Sequence, residues 1–256
     1  MLPQLVTSRQ KRILQALQSG QPVSVKELSQ EVALSESTLR RELQALVDVD
    51  LVSFQSGKVR PSFSPDRENP FLLRTTIQED EKRRIARAAL DFVQNGETIF
   101  ISGGTTTLEF ARLLPGQRRL TVITNALPVA YHLLGRRGVK LVILGGEVRQ
   151  DEQTMHGHLT VYGIEQLRAD KLFYGIEAIS LDHGLTHSQL LEVSTDRALI
   201  RACTQTIVLA DHTKFGRVAP AVVVPISEVG AIITGRELTT EAIQGLQAAG
   251  VQVILA

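Results

Sequence analysis

The 256-residue chain has the composition of an ordinary globular protein, with 43% hydrophobic and 21% charged residues, and it is long enough for two domains. Its formal net charge of +1 excludes a generally basic protein, so any nucleic-acid-binding surface must be a local patch. The single cysteine excludes an internal disulfide bond, and no apolar run reaches the roughly 18 residues of a membrane helix. No secretory signal is recognisable, so we expect a cytoplasmic protein without a membrane partner.

The first 50 residues predict three short helices. The first is expected over residues 8–17, where apolar side chains recur on one face. Ser24 and Glu27 have the spacing of a capping box that starts the second helix. Ser35 is the expected N-cap of the third helix. The predicted buried stripe of this third helix consists of Leu39, Leu43, Leu46 and Val47.

The opposite face of the third helix carries side chains suited to reading DNA. Arginine can bind guanine through two hydrogen bonds, glutamine can pair with adenine, and hydroxyl groups near a helix start can hold a phosphate. The candidate DNA contacts are Ser35, Ser37, Thr38, Arg40, Arg41 and Gln44. A hairpin around Ser56 and Gly57 would add a wing, and together these features predict a winged helix-turn-helix. A three-helix protein-interaction domain with solvated arginines stays open as an alternative.

A proline-rich stretch, residues 58–70, follows this region and holds three of the nine prolines. Proline blocks the continuation of a helix, so the stretch is typical of a linker. We therefore predict a DNA-binding domain over residues 1–60, a linker over 61–75 and an effector-sensing α/β domain over 76–256. Thr76 and Glu79 have capping-box spacing and predict the first helix of that domain.

Short apolar runs alternate with helical segments in the rest of the chain. Continuous apolar strands of this kind predict a mainly parallel sheet covered on both faces, with ligands at the carboxyl ends of the strands. The predicted strands are 98–101, 120–124, 140–144, 171–176, 205–210, 221–224, 231–234 and 251–255. The predicted helices between them are 106–114, 126–134, 193–202 and 239–249.

The segment SGGTTT, residues 102–107, follows a strand and opens a helix. Glycines allow close approach of a ligand, and the helix start offers free N–H groups beside threonine hydroxyls, which suits a phosphate. A purely structural turn is the alternative. Three further strand ends carry polar groups or glycines at the same predicted edge, and together they suit a phosphorylated polyol. The candidate effector-binding residues are Gly103, Gly104, Thr105, Thr106, Thr107, Asn125, Gly145, Gly146, Asp211 and Lys214.

Several histidines permit other interpretations. His156 with His158, or Asp182 with His183 and His187, could bind a metal, but they lie in polar loops, and we expect neither a metal nor another cofactor. His183, His187 and Glu192 could instead flank the sugar site. A phosphosugar isomerase or deaminase with a helical appendage would use His187, Glu192 and Asp211 as acid and base groups, and a protein-interaction adaptor is a further alternative. The helix-turn-helix favours a sensor without catalytic residues.

The order of motifs resembles the DeoR family of transcriptional regulators from about residue 8 to the end. The matching segments are RQKRILQAL, VSVKELSQEVALSESTLRREL, GGTTT, VITN, ILGG and LADHTKFG. The resemblance implies a repressor of carbohydrate genes that responds to a phosphorylated sugar, with a sensor domain similar in fold to ribose-5-phosphate isomerase. It also implies that residues 104–107 hold the phosphate, while Asn125, Asp211 and Lys214 line the sugar site. In place of an aspartate common in the family stands Ser102.

We expect the protein to form a homo-oligomer, a dimer or a tetramer, on double-stranded operator DNA. A single winged helix contacts too little DNA for useful specificity, and two-fold symmetry matches repeated half-sites.

Overall fold

The structure is a computed structural model that describes residues 7–17, 19–49, 51–62, 70–116 and 119–256. The chain divides into two compact units, one up to Ile77 and the other from Gln78. Most of the proline-rich stretch, residues 63–69, lies outside the described residues. The predicted domain limits at residues 60 and 75 stay a prediction. No helix in the described part of the chain is long and apolar enough to cross a membrane.

The first unit combines short helices with a small antiparallel sheet. In its described residues the sheet has the order β1-β3-β2, and the β2–β3 hairpin turns at Ser56 and Gly57, both with positive φ, so the predicted wing is confirmed. The elements are α1 (Ser8–Ala16), β1 (Val23–Ser24), α2 (Val25–Glu31), α3 (Glu36–Val47), β2 (Val52–Gln55), β3 (Lys58–Pro61) and α4 (Phe71–Arg74).

Local capping sets the starts of these helices. The Ser24 side chain accepts a hydrogen bond from the Glu27 amide, and the Glu27 carboxylate accepts one from the Ser24 amide, so the predicted capping box is confirmed. Ser35 caps α3 as predicted by accepting a bond from the Thr38 amide. The core of the unit includes Leu39, Leu43 and Leu46 of α3, together with Leu73 of α4. A leucine from the predicted linker therefore packs within the first unit.

The second unit alternates strands and helices. Its helices are α5 (Glu79–Ala89), α6 (Thr105–Leu113), α7 (Leu127–Leu133), α8 (His158–Glu165), α9 (Leu190–Arg201) and α10 (Thr240–Ala248), with 3-10 turns at Leu90–Phe92, His212–Lys214 and Ile226–Glu228. Its strands are β4 (Thr98–Ile101), β5 (Leu120–Thr124), β6 (Val139–Ile143), β7 (Glu147–Arg149), β8 (Thr154–His156), β9 (Ala169–Tyr174), β10 (Ala178–Ser180), β11 (Gly184–His187), β12 (Cys203–Leu209), β13 (Ala221–Val224), β14 (Ala231–Thr234) and β15 (Gln252–Leu255).

The main sheet has the order β15-β14-β12-β9-β4-β5-β6 in the described residues, and every neighbouring pair is parallel. Ile99, Phe100 and Ile101, three consecutive residues of β4, are fully buried, which requires cover on both faces of the sheet. The predicted α/β fold with a mainly parallel sheet is therefore confirmed. All carboxyl ends of these strands lie along one edge, where the predicted effector residues follow β4, β5, β6 and β12.

Two expectations about individual elements are wrong. The predicted strand 221–224 exists as β13, but it lies in a separate antiparallel sheet with β10 and β11. The capping box at Thr76 and Glu79 does not form. The Thr76 hydroxyl instead donates to the Leu73 carbonyl over 2.8 Å, and the chain enters α5 through the left-handed Gln78 without a side-chain cap. A bond to the preceding turn thus replaces the cap.

Candidate functional site

Helix α3 exposes the side chains that were predicted to contact DNA, but they differ in their partners. Arg40 lies 3.9 Å from the Glu36 carboxylate one turn earlier, and the Gln44 amide donates to Asp48 over 3.0 Å. Arg41 is exposed and forms no ion pair or hydrogen bond with another residue that the structure describes. Arg41 could therefore bind a base without first breaking an interaction within the helix, whereas Arg40 would have to leave Glu36.

The hydroxyl groups at the start of α3 have unequal roles. Ser35 caps the helix, and its hydroxyl also donates to the Thr38 hydroxyl over 2.9 Å. Ser37 is exposed, and its hydroxyl lies 3.2 Å from that of Ser35. The wing adds Lys58 and Arg60, which are both exposed on β3. They were not predicted as DNA contacts, although basic residues at every second position of a short strand lie on the same face. The exposed residues of α3 and β3 form the candidate DNA interface of the first unit.

The turn between β4 and α6 is built from glycines that no other residue could replace in the same geometry. A β-carbon on Gly103 would lie 2.3 Å from Cγ2 of Thr154 in β8. A β-carbon on Gly175, which follows β9, would lie 2.8 Å from the Gly103 carbonyl oxygen. Gly104 is the N-cap residue of α6 and has a φ of 133°. We call residues 102–107 the phosphate turn after the ligand that the sequence predicts for it, because glycines at a helix start allow an anion to approach the backbone closely.

The start of α6 has no side-chain cap, because its N-cap residue is Gly104. Thr105, Thr106 and Thr107 are buried there, and the Thr107 hydroxyl donates to the Gly104 carbonyl over 2.9 Å. The first-turn amides therefore have no side-chain acceptor, while the positive end of the helix dipole points out of the helix at the same place. These features allow the turn to bind a phosphate.

Ser102 connects the phosphate turn to the segment after β9. Its hydroxyl donates to the Gly103 carbonyl over 3.1 Å and accepts a hydrogen bond from the Gly175 amide over 3.0 Å. A hydroxyl can donate and accept at once, so this serine can fix the turn from both sides, which an ionised aspartate could not do.

Asn125, at the end of β5, is buried and joined to β8. Its side-chain amide donates to the backbone carbonyl of Met155 over 3.0 Å, and its backbone carbonyl accepts a hydrogen bond from the Met155 backbone amide over 2.8 Å. The side-chain oxygen Oδ1 is buried without a hydrogen-bond partner among the residues described. Asn125 thus keeps an unmatched acceptor beside the strand whose Thr154 contacts Gly103.

The two glycines after β6 serve the packing of α8. The Thr160 hydroxyl of α8 donates to the Gly145 carbonyl over 2.8 Å. A β-carbon on Gly146 would lie 2.0 Å from that hydroxyl and 2.7 Å from the His156 carbonyl, whereas a β-carbon on Gly145 would meet nothing within 4 Å.

This contrast provides a matched pair of variants. We expect Gly146→Ala to lower the free energy of unfolding by about 3 kcal/mol, because it adds backbone strain and a steric clash. Gly145→Ala should change it by less than about 1 kcal/mol. Urea unfolding followed by circular dichroism measures both, and equal stability of the two variants would show that the β6–β7 turn adjusts to the added methyl group without cost.

A buried polar cluster lies where β9 and β11 meet α9, and we call it the β9–α9 cluster. The imidazole of His187 lies 2.7 Å from Glu192 through Nε2 and 3.3 Å from Glu177 through Nδ1. Arg149 contacts the other oxygen of Glu192 and makes two 2.8 Å bonds to Asp151. The members of the β9–α9 cluster are Tyr174, Glu177, His187, Glu192 and Asp196, with Arg149 and His156 beside them.

Burial dominates the electrostatics of this cluster. Burial raises the pKa of Asp196 to about 7, and burial together with the Asp196 carboxyl raises the pKa of the Tyr174 hydroxyl. Burial, followed by the charges of Arg149 and His187, lowers the pKa of His156 to about 4. His156 is therefore neutral at pH 7, and the cluster offers carboxylate and imidazole groups that can accept hydrogen bonds from hydroxyls.

His187 and Glu192 were among the residues that could flank the sugar site, but the other members of the cluster were not predicted. Glu177 and Arg149 were not predicted, because neither lies in a segment that carries the family resemblance. His183 is exposed and is not among these residues. In the described residues, the groups of three side chains spaced to hold an ion are His187–Glu192–Asp196 and Glu81–His212–Glu237, neither of which was predicted.

Asp211 and Lys214 follow β12, which β9 separates from β4 and its phosphate turn. The Asp211 carboxylate is buried, lies 3.9 Å from the Lys82 ammonium of α5, and accepts a 3.1 Å bond from the Thr213 amide. The Asp211 carboxylate therefore stabilises its own turn and compensates the charge of the buried Lys82. Lys214 is half-buried, and a role of either residue in effector binding stays a prediction.

The predicted site residues therefore fall into groups. Thr154 and Gly175 bring the phosphate turn, Asn125 and the end of β9 together. The glycines after β6 pack against α8, and Asp211 packs against α5.

Comparison with known proteins finds a family match for each of the two units. Residues 77–236 match the model of the DeoR C terminal sensor domain, and residues 10–53 match a helix-turn-helix domain. The chain is 34% identical to the glycerol-3-phosphate regulon repressor of Escherichia coli, over 89% of this chain and 90% of that protein. It is 30% identical to the transcriptional repressor AccR of Agrobacterium fabrum, over 88% of each chain.

Among solved structures, ribose 5-phosphate isomerase A from Methanocaldococcus jannaschii is similar over 54% of this chain and 55% of that chain, with a TM-score of 0.40 and 18% identity. A likeness this weak carries no functional argument. Both repressors are named as regulators and neither as an enzyme, so the isomerase or deaminase alternative is set aside. The sensor-domain match over most of the second unit and the similarity to repressors over nearly their whole length show that this chain belongs to the DeoR family of transcriptional regulators.

Proposed function

We propose that this regulator represses genes of carbohydrate use, and that a phosphorylated sugar or polyol bound at the phosphate turn changes its affinity for operator DNA. The observation that carries the effector site is the start of α6, which follows Gly103 and Gly104, has no side-chain cap and is lined by buried threonines. An anion there would receive the first-turn N–H groups and the helix dipole.

The rest of the effector would lie toward the end of β9. Gly175 packs on the phosphate turn, and Glu177 and His187 follow it in the β9–α9 cluster. Carboxylates and the neutral imidazole of His156 can accept hydrogen bonds from several hydroxyls, and Asn125 adds an unmatched oxygen. A phosphate at one end and hydroxyl groups at the other fit this arrangement. Glycerol 3-phosphate is the first probe to test, since a similar repressor is named for its regulon.

A ligand can change DNA affinity only if it binds one of two arrangements of the protein more tightly. The proposed switch therefore needs an assembly with two arrangements, and we propose a cytoplasmic dimer or tetramer that places two α3 helices on repeated half-sites. Light scattering of the full chain with and without DNA tests this assembly. A monomer under both conditions would contradict it.

Calorimetry with the full chain tests the effector site. Glycerol 3-phosphate and a panel of sugar phosphates are titrated beside their unphosphorylated forms. We expect the phosphorylated ligand to bind about 100-fold more tightly, because charged hydrogen bonds at the helix start are lost without the phosphate. Thr106→Val should weaken the phosphorylated ligand about 10-fold through loss of one hydroxyl.

Thr121→Val is the matched control, since Thr121 lies in β5 near the opposite end of the strand. It should leave the affinity unchanged. Equal affinity for a sugar and its phosphate, or full affinity in Thr106→Val, would contradict the assignment of the phosphate turn.

A further inference from the structure

We propose that the outer face of α7, together with the edge strand β6, docks onto the same surface of a second copy of this chain. The inference rests on the proposed assembly and names the surface that would hold it together. The side chains concerned are Leu127, Tyr131, Leu134 and Ile143, which we call the α7–β6 face. They are 37%, 62%, 70% and 49% exposed, respectively. Contiguous apolar patches of more than a few hundred Å² are rare on monomers and mark interaction sites.

Helix α7 is apolar on two faces. Its buried side chains, beneath which it packs on β5 and β6, are Val129, Ala130 and Leu133. Leu127, Tyr131 and Leu134 follow one another at positions i, i+4 and i+7, so they lie along one further face. The helix sequence LPVAYHL contains no lysine, arginine, aspartate or glutamate. A surface helix normally has charged or polar side chains opposite its buried stripe, so a second apolar face predicts a second partner.

Strand β6 continues the apolar face at the edge of the main sheet. Val142 packs against the core cluster whose helical members come from α8, α9 and α10, whereas α7 packs against β6 and α6. Because side chains alternate along a strand, Ile143 lies on the α7 side of the sheet. In the described residues β6 pairs with β5 alone, so its other side has no partner strand. An open edge beside an apolar face is a surface that another chain can cover.

The two edges of the main sheet differ in this respect. The exposed large apolar side chain of β15, at the other edge, is Leu255. Helix α10, which packs beside β15, exposes polar side chains, namely Glu241, Gln244 and Gln247. The coincidence of an open strand edge with an apolar helix face therefore predicts that two chains meet through β6 rather than through β15.

The charges around the α7–β6 face fit a second copy of the same chain. Exposed Arg137 and Lys140 lie at the amino end of β6, and exposed Glu147 follows its carboxyl end. A two-fold axis perpendicular to the strands would set the two β6 edges antiparallel. The basic end of each strand would then lie toward the acidic end of the other, which favours self-association.

The exposed area is also sufficient for a stable contact. At about 200 Å² for a fully exposed large side chain, the α7–β6 face offers roughly 440 Å² of apolar surface. A standard-sized interface buries about 800 Å² on each partner, of which about 450 Å² is apolar. The face therefore supplies the apolar area of one such interface between two copies.

The first test measures the mass of the full chain by light scattering over a range of concentrations. Tyr131→Lys and Leu134→Lys each place the same charge on both copies within one interface, so each should weaken association at least about 100-fold and halve the mass of the assembly. The matched control is Leu255→Lys on β15, which should keep the mass of the unaltered chain.

The outcomes separate this surface from the assembly itself. If the unaltered chain associates and both lysine variants keep its mass, the proposal is overturned while the proposed assembly stands. A monomeric unaltered chain would overturn both. Loss of the assembly in Leu255→Lys alone would place the interface at the other edge of the sheet. Circular dichroism checks that each variant is folded.

Distances between spin labels decide the matter if the lysine variants are unfolded. One label per chain is attached to Lys140→Cys or to Leu255→Cys, with Cys203→Ala removing the native thiol. The seven strands, spaced about 4.8 Å apart, span about 29 Å, so labels on residue 255 of two copies joined through β6 should lie roughly 60 Å apart. Labels on residue 140 should lie within about 25 Å of each other, since neighbouring strands would carry them. The opposite order of distances would overturn the proposal.

Discussion

Asp211→Ala is expected to destabilise the second unit by about 3 kcal/mol. Asp211 and Lys82 are both almost completely buried, and their charged groups are 3.9 Å apart. Removing one member of a buried ion pair leaves the other charge with less compensation, which costs more than the pair itself contributes. The variant also removes the acceptor for the Thr213 amide and so loosens the turn after β12.

The unfolding transition is best followed by circular dichroism, since the chain contains no tryptophan. Lys214→Ala is the control, because Lys214 lies in the same turn and is half-buried, and it should cost less than about 1 kcal/mol. If Asp211→Ala unfolds like the unaltered chain but no longer binds sugar phosphate, Asp211 contacts the effector as the family resemblance implied. The ion pair would then not be the reason for its burial.

Arg41→Ala is expected to weaken binding to a specific operator by about 1–3 kcal/mol, which is roughly 5- to 150-fold. Arg41 is exposed on α3 and needs to break no contact with the described residues before it meets a base. Arg40 lies close to Glu36, so Arg40→Ala should have a smaller effect. Binding to operator and unrelated DNA at several salt concentrations separates base contacts from phosphate contacts.

Arg87→Ala, an exposed arginine of α5 in the other unit, controls for the loss of one positive charge and should leave operator affinity unchanged. If Arg41→Ala weakens operator and unrelated DNA equally, Arg41 contacts phosphates. Unchanged affinity in the Arg40/Arg41 double alanine variant would remove α3 as the recognition helix.

The sequence predicted elements well where the pattern was local. Strands such as β4, β5 and β14 are continuous apolar runs, and burial on both faces makes such runs visible without a structure. Helix α8 was missed because its sequence is short and contains Gly163. Strands β7, β8, β10 and β11 were missed as well, since three or four residues form a strand only when a partner strand is present.

The candidate site was predictable to the same extent. A parallel sheet places all carboxyl ends at one edge, so the phosphate turn and Asn125 could be grouped from their positions after strands. The burial of Glu192 on α9 and the approach of Arg149 from β7 depend on long-range packing, and no local pattern marks them. Likewise, the family motif could not show that Asp211 meets a lysine on α5.

The position of β9 has a consequence for synthesis of the protein. This central strand lies between β4 and β12, and the pairs Ile99 with Lys171 and Ile207 with Phe173 join segments far apart in the chain. Such distant pairings form slowly and only after the later segment exists, whereas the contacts of the first unit are complete once Ile77 has left the ribosome. A growing chain therefore finishes its DNA-reading part before it can detect a metabolite. A product truncated before β9 would contain the complete first unit but lack the central strand of the main sheet.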